Sequence, residues 1–152
     1  MTVQDKDDVD CSGQIIVLRQ AWNDERDREF PDHAVQLDLA KALLRSDDRL
    51  HHLEAQDILD DMIEEGLEIV DSCYAQAVCK YKLGLLSESA EYVARVLQLD
   101  PHNEKASALR EMLEDAASKQ GKLTALLLIF GSFLGAVAFH ANVVKPWLAG
   151  RR

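Results

Sequence analysis

The sequence predicts an all-α protein: a bundle of six helices arranged as repeated helical pairs, followed by one hydrophobic helix that crosses a membrane. Three observations support this fold class. Apolar residues recur every three or four positions, with no sustained alternation and no Asn-Gly or Asp-Gly hairpin signal. Two segments repeat the same layout of small and large apolar residues. Near the C-terminus, 22 consecutive residues carry no formal charge, which is long enough for a transmembrane helix.

The six helices follow from apolar periodicity and from the residues that start and stop a helix. Their apolar faces carry, in chain order, Ile15, Leu18 and Trp22; Leu37, Ala40 and Leu44; Ile58, Leu59, Met62 and Ile63; Tyr74, Ala77, Val78 and Tyr81; Ala90, Val93 and Leu97; and Ala106, Leu109, Met112, Leu113 and Ala116. The boundary signals are Ser12 before the first helix, Pro31-Asp32 before the second, Gly66 after the third, Gly84 after the fourth, Ser87 and Pro101 around the fifth, and Gly121 after the sixth. The helical domain therefore spans residues 12–121.

The fourth and fifth helices form a repeat unit. Its Ala77, Gly84, Ser89, Val93, Leu97 and Asp100-Pro101 fit the 34-residue tetratricopeptide pattern, in which small residues of two helices pack together and proline ends the unit. The large residues expected early in the pattern are replaced by Cys73 and Gln76. The second and third helices repeat the layout, with about three extra residues in the loop at 46–52. The first and sixth helices would cap the two repeats, since each repeat buries its apolar face only against a neighbour.

Stacked helical pairs present their first helices on the inner surface, where a partner can bind. The residues predicted to line this groove are Leu37, Lys41, Leu44 and Arg45 in the first repeat and Tyr74, Val78, Tyr81 and Lys82 in the second. Such an apolar strip with cationic edges suits an amphipathic helix or an extended segment with acidic flanks. The alternative is that several of these residues fill the core. Residues 1–11 are acidic and polar, and we expect a mobile arm that could fold onto the cationic edge.

The uncharged run Leu123–Val144 lies between Lys122 and Lys145. As a helix it would be about 33 Å long, against about 30 Å for the hydrocarbon core of a bilayer. Residues 122–145 are therefore predicted to be a tail anchor that inserts after translation and leaves the helical domain in the cytosol. The basic tail 146–152, with Arg151 and Arg152, is typical of mitochondrial outer-membrane and peroxisomal anchors. Gly131 and Gly135 form a G-x-x-x-G motif, which would permit a homo-oligomer through the membrane helix.

Charge and motifs argue against other classes of protein. Residues 1–121 hold 13 cations and 27 anions, so nucleic acid is not an expected partner. There is no phosphate-binding glycine loop, G-x-S-x-G or H-E-x-x-H motif, so we predict neither an enzyme nor a cofactor. His51 and His52 are adjacent and would point to different sides of a helix, so a solvated loop and helix start are expected there instead of a metal site. The three cysteines are expected to be reduced thiols.

Two segments resemble the mitochondrial fission 1 family, whose members are tail-anchored tetratricopeptide proteins. LDLAKALLRS at 37–46 is similar to the first-repeat segment of that family. The run at 77–106 is similar to its second repeat without a gap, and the matching residues are Ala77, Val78, Tyr81, Leu83, Tyr92, Val93, Leu97, Gln98, Pro101, Asn103 and Ala106. Two departures stand out: Cys79 replaces a glycine of the family, and Leu37, Leu39 and Lys41 replace aromatic residues.

The resemblance implies an adaptor on the mitochondrial outer membrane and the peroxisomal membrane. Such an adaptor recruits a dynamin-related GTPase, directly or through a linker protein, and the GTPase constricts the organelle. The principal alternative with the same architecture is a tail-anchored co-chaperone or import receptor. A groove for the acidic tail of a chaperone favours Lys, Arg and Asn, whereas Leu37, Tyr74 and Val78 are found here. A tail-anchored bundle of the apoptosis type would need a long central apolar helix instead of repeats.

Overall fold

The computed structural model describes residues 3–121, 125, 126 and 128–131. Within this part of the chain there are six full helices and no strands: α1 (Val3–Glu25), α2 (His33–Arg45), α3 (Arg49–Glu64), α4 (Ile69–Lys82), α5 (Leu86–Leu99) and α6 (Glu104–Lys119). Residues 125, 126 and 128–131 are also helical. The predicted all-α class, with its six helices, is confirmed for these residues.

Side-chain caps explain where several helices begin. The carboxylate of Asp32 accepts a hydrogen bond from the backbone N–H of Ala34 at 3.0 Å, as expected for the predicted start of α2. Asp48 caps α3 in the same way through Leu50, at 2.8 Å, so α3 begins at Arg49 and the loop predicted over 46–52 is shorter. The prediction that Ser87 caps α5 is wrong, because α5 begins at Leu86 and Leu85 occupies the cap position.

Helix α1 is longer than the sequence analysis proposed. It begins at Val3, so residues 3–11, predicted as a mobile arm, form its N-terminal turns. A physical reason is the concentration of aspartate there, because negative charge near a helix N-terminus interacts favourably with the helix dipole. Since α1 is one continuous helix from Val3, these turns extend it in line.

The chain divides into two compact units, one holding α1–α4 and the other α5, α6 and the residues that follow. In the first unit α1 packs on α2, α2 on α3, α3 on α4, and α2 also on α4. Its buried core is Ile15, Leu37, Leu39, Ala40, Ala42, Leu43, Leu44, Ala55, Leu59, Met62, Ala75 and Cys79. Leu18, Trp22 and Val78 pack against this core from its edge. These contacts fix α2 and α4 next to each other.

In the second unit α5 packs on α6. Ala90 and Val93 of α5 are buried, as are Leu109 and Leu113 of α6, in agreement with the apolar faces predicted for both helices. The amide side chain of Asn103 caps α6 by accepting from the backbone N–H of Ala106 at 3.0 Å. The second unit is therefore a helical hairpin with a well-defined start to its second helix.

Most of the predicted anchor lies outside the described residues. No helix in the described part of the chain combines the length and the apolar character that a membrane crossing requires. Lys122, Gly135, Lys145, Arg151 and Arg152 all fall outside it. Gly131 falls inside it and is exposed on a helical turn.

Candidate protein-binding site

Helices α2 and α4, the first helices of the two predicted repeats, are in contact with each other. Val78 of α4 packs against the core that contains Leu37 and Leu44 of α2. The tetratricopeptide pattern requires this adjacency, because it is the inner helices of successive repeats that form a shared surface. The described structure therefore brings both halves of the predicted groove together within the first unit.

Two of the eight predicted groove residues lie in the core. Leu37 is 4% exposed and Leu44 is 5% exposed, and both belong to the core of the first unit. So little accessible area leaves them almost nothing to offer a partner. For these two residues the alternative reading, that they fill the core, describes the structure, and their role is to hold α2 in place beneath the surface.

The other six predicted residues retain solvent exposure, and we call them the α2–α4 surface: Lys41, Arg45, Tyr74, Val78, Tyr81 and Lys82. Tyr74, Val78 and Tyr81 are half-buried and follow one another at spacings of four and three, so they share one face of α4. Burial raises the pKa of Tyr74 above its usual value, which keeps its hydroxyl protonated and able to donate a hydrogen bond. The result is an apolar and aromatic strip with hydroxyl groups at its two tyrosines.

Cations lie beside this strip. Lys41 is half-buried on α2, and Arg45 and Lys82 are exposed at the ends of their helices. The guanidinium of Arg45 donates a hydrogen bond to the side-chain oxygen of Gln14 on α1 at 2.9 Å. Because this amide is neutral, the contact orients Arg45 without cancelling its positive charge. An acidic group of a partner would meet positive charge at the edge of the strip.

Helix α1 contacts both α2 and α3 through side chains that sequence reasoning did not pair. Arg19 donates to both carboxylate oxygens of Glu54 on α3, at 2.9 and 2.8 Å. The rings of Trp22 and His33 lie 5.9 Å apart at the N-terminal end of α2. No local pattern could have revealed the Arg19–Glu54 pair, because 35 residues separate its two members.

Polar side chains also fix α4 on α3. Gln76 is fully buried and donates from Nε2 to a carboxylate oxygen of Asp60 at 2.6 Å. The Cys79 thiol donates to the backbone carbonyl of His52 at 3.2 Å. Cys73 and Gln76, which depart from the tetratricopeptide pattern, are therefore both core positions occupied by smaller or polar side chains.

The two adjacent histidines, His51 and His52, both contact Ser46 in the turn between α2 and α3. His52 is buried, and its Nε2 lies 2.7 Å from the backbone carbonyl oxygen of Ser46, while His51 Nδ1 lies 2.8 Å from the hydroxyl of the same serine. The expectation of a solvated loop is wrong for His52, because the side chain turns inward to pair with this carbonyl. Among the described residues, no group of three or more metal-ligating side chains was found.

Burial raises the pKa of the Cys79 thiol to about 11, with Asp60 adding to this shift and Lys80 and Lys82 opposing it. Since the unfolded thiol ionises near pH 9.0, the unfolded state loses this proton first. The thiol's contribution to stability is thus fully present below pH 9 and is lost as the pH rises towards 11, by about 2 kcal/mol.

We expect the free energy of unfolding of Cys79→Ala to fall less steeply between pH 8 and 11 than that of the unaltered protein, as measured by urea unfolding. An equal pH slope in both proteins would contradict the assignment.

The fold and the α2–α4 surface define the class of this chain: a helical-repeat protein of the tetratricopeptide type. Residues 70–122 match the family model described as the Fis1 C-terminal tetratricopeptide repeat. The chain is 29% identical over 124 residues to a mitochondrial fission 1 protein of Tuber borchii, covering 81% of this chain and 78% of that protein. It is 26% identical over 140 residues to the Yarrowia lipolytica protein of the same name, covering 91% and 86%. It is also 29% identical over 120 residues to the FIS1-related protein fis-1 of Caenorhabditis elegans, covering 77% and 80%. The resemblance found in the sequence is confirmed: the chain is similar over most of its length to proteins named mitochondrial fission 1 protein, and residues 70–122 match the model of the C-terminal repeat of that family.

Proposed function

We propose that this chain acts in mitochondrial fission as a membrane adaptor, and that its α2–α4 surface binds a dynamin-related GTPase or a protein that links to one. The relatives named mitochondrial fission 1 protein support the process. The observation that carries the proposal for this chain is the contact between α2 and α4, with half-exposed Tyr74, Val78 and Tyr81 on one face. The activity is recognition of another protein, and the GTPase supplies the mechanical work.

The chemistry of the surface indicates what kind of segment it binds. Aromatic side chains at successive turns of α4 offer large contact areas at a small entropic cost, as binding anchors often do. Lys41, Arg45 and Lys82 then favour a segment with apolar residues at its centre and acidic residues at its ends. An amphipathic helix presents such residues at spacings of three and four, which matches the spacing of the strip.

The proposed position of the adaptor is the mitochondrial outer membrane, with the peroxisomal membrane as a second site, and with the helical domain in the cytosol. The uncharged run Leu123–Val144 and the basic tail that follows support this arrangement. A homo-oligomer through Gly131 and Gly135 is part of the proposal. Gly131 is exposed, and among the described residues a methyl group added to it would meet no atom within 4 Å, which supports the proposal.

Imaging of the tagged full-length chain in cells tests the function. We expect the chain to ring mitochondria or peroxisomes, and its depletion or excess to change their number and length. A copy ending at Gly121 should stay diffuse in the cytosol and leave organelle shape unchanged. Decoration of the organelles without any effect on their shape would contradict the fission role, and it would favour the co-chaperone or import-receptor alternative. A diffuse full-length chain would contradict the anchor.

A further inference from the structure

The start of the predicted anchor contacts α6. The guanidinium carbon of Arg110 lies 5.4 Å from the centroid of the Phe130 ring, the geometry of a cation–π contact. These residues are 20 positions apart, and in one continuous helix their Cα atoms would be about 30 Å apart. The contact therefore requires the chain to reverse direction between them.

The reversal begins at the end of α6. The backbone N–H of Gln120 donates to the carbonyls of Ala116 and Ala117, each at 3.2 Å, and that of Gly121 donates to the carbonyl of Ser118 at 3.2 Å. Gly121 has a φ of +68°, in the left-handed region that favours glycine and commonly ends a helix. The helical residues beyond it therefore return along α6 and do not continue its axis.

One face of these returning residues is buried. Leu126 is 0% exposed and Phe130 is 5% exposed, and their spacing of four places them on the same side of a helix. Leu128, on another side, is 68% exposed. Arg110 is held in position by a second contact, from its Nε to a carboxylate oxygen of Glu114 at 3.0 Å. We call the contact of the Phe130 ring with Arg110, together with the burial of Leu126 and Phe130, the fold-back contact.

The fold-back contact uses residues that the membrane also needs. If the described residues up to Gly131 stayed on α6, the uncharged run would keep only residues 132–144 for the membrane, and 13 helical residues span about 20 Å against about 30 Å of hydrocarbon. The same turns therefore cannot serve both arrangements at once. Release would expose Leu126 and Phe130, and lipid tails offer them an environment as apolar as the one they leave.

We propose that the helical residues 125, 126 and 128–131 switch between two positions: folded back on α6 when the chain is in water, and inserted in the bilayer as part of the first turns of the anchor. This inference rests on the membrane anchor of the proposed function and goes beyond it. Before insertion, the fold-back contact covers part of the apolar segment. On insertion the chain changes direction at Gly121, and Arg110 loses its contact with the Phe130 ring.

Distance measurements on the full-length chain test the switch. Spin labels at Ser107→Cys and Leu128→Cys, both at exposed positions, are placed in a chain that carries Cys11→Ser, while Cys73 and Cys79 are buried. Adjacent helices lie about 8–10 Å apart, so we expect a separation below about 20 Å in lipid-free buffer. In phosphatidylcholine liposomes we expect a longer separation that approaches about 30 Å, the length of one continuous helix between the two positions. Flotation of the same liposomes measures insertion separately.

Each outcome has one meaning. A short distance in floating liposomes overturns the switch, while flotation still shows that the chain binds the bilayer. A long distance in both conditions overturns the fold-back contact. A chain that does not float overturns the anchor and with it the inserted state, which is a failure of the proposed function and is recognised as such by flotation alone.

A matched pair of substitutions tests whether the fold-back contact restrains insertion. Phe130→Ala and Leu128→Ala both make the predicted span less apolar, but only Phe130 is buried and in contact with Arg110. We expect Phe130→Ala to accelerate insertion into liposomes by about tenfold, since it removes a buried aromatic side chain from the folded-back state. Leu128→Ala should leave the rate unchanged or lower it. Equal effects of the two substitutions would overturn the restraint.

Discussion

Replacing Leu59 with alanine is expected to lower the free energy of unfolding by about 3 kcal/mol, within the usual range for a buried leucine. Leu59 is fully buried in the core of the first unit, on the helix that packs against both α2 and α4. The substitution removes contacts and leaves a cavity that the surrounding helices fill only partly. Urea unfolding followed by circular dichroism would measure the change.

The control is the same substitution at Leu50. Leu50 lies in the first turn of the same helix but is 70% exposed, so Leu50→Ala should change the free energy of unfolding by less than about 0.5 kcal/mol. A similar loss for both variants would contradict the core contacts of Leu59 as the source of the effect, because alanine favours a helix at least as well as leucine does. A loss confined to Leu59 supports α3 as the element that holds the two inner helices together.

Helix ends were predictable because local chemistry decides them. Asp32 supplies a side-chain acceptor just before α2, and α3 and α4 end just before Gly66 and Gly84, as the sequence indicated. At two other helix starts the prediction failed. Asp48 caps α3 earlier than expected, and Ser87 is passed over in favour of a start at Leu86.

The composition of the binding surface was only partly predictable. Spacing correctly identified Leu37, Ala40 and Leu44 as the apolar face of α2. It could not show how much of that face other helices cover. Leu37 and Leu44 are buried in a core that also includes Ile15 of α1. Burial of this kind depends on contacts between residues far apart in sequence, for which periodicity within one helix carries no information.

Buried polar groups were the least predictable feature. The inward position of Gln76 depends on Asp60 of the neighbouring helix, and that of His52 depends on a backbone carbonyl at the end of α2. Burying a polar group costs free energy unless a hydrogen bond compensates it, and Gln76 meets this condition through Nε2 only, since its Oε1 is buried without a partner among the described residues. The partner is set by the packing of whole helices, so a single sequence gives no warning of it.

Tyr81→Ala is expected to weaken binding of the dynamin-related GTPase, or of its linker protein, by about 30-fold, which corresponds to about 2 kcal/mol. Tyr81 lies at the end of the half-buried strip on α4 and next to the exposed Lys82. Removal of its ring would delete a large contact area close to the cationic edge. Titration of the purified helical domain with the partner, by calorimetry, would measure the change in Kd.

Tyr92→Ala is the matched control, because Tyr92 is also half-buried but lies on α5, the second helix of its repeat. It should bind the partner as the unaltered protein does, provided that both variants unfold at the same urea concentration as that protein. Equal weakening by the two substitutions would contradict a site on the inner helices.

The cationic edge should behave differently from the aromatic strip. Lys82→Glu reverses an exposed charge, and charges at the rim of an interface act mainly on the rate of association and on its dependence on salt. We therefore expect Lys82→Glu to slow association at low salt. At high ionic strength the association rates of the two proteins should converge, because salt screens exposed charges. In the unaltered protein the association rate should fall as salt is added. If Tyr81→Ala changes the dissociation rate and Lys82→Glu the association rate, an apolar strip with a cationic edge is the surface that binds.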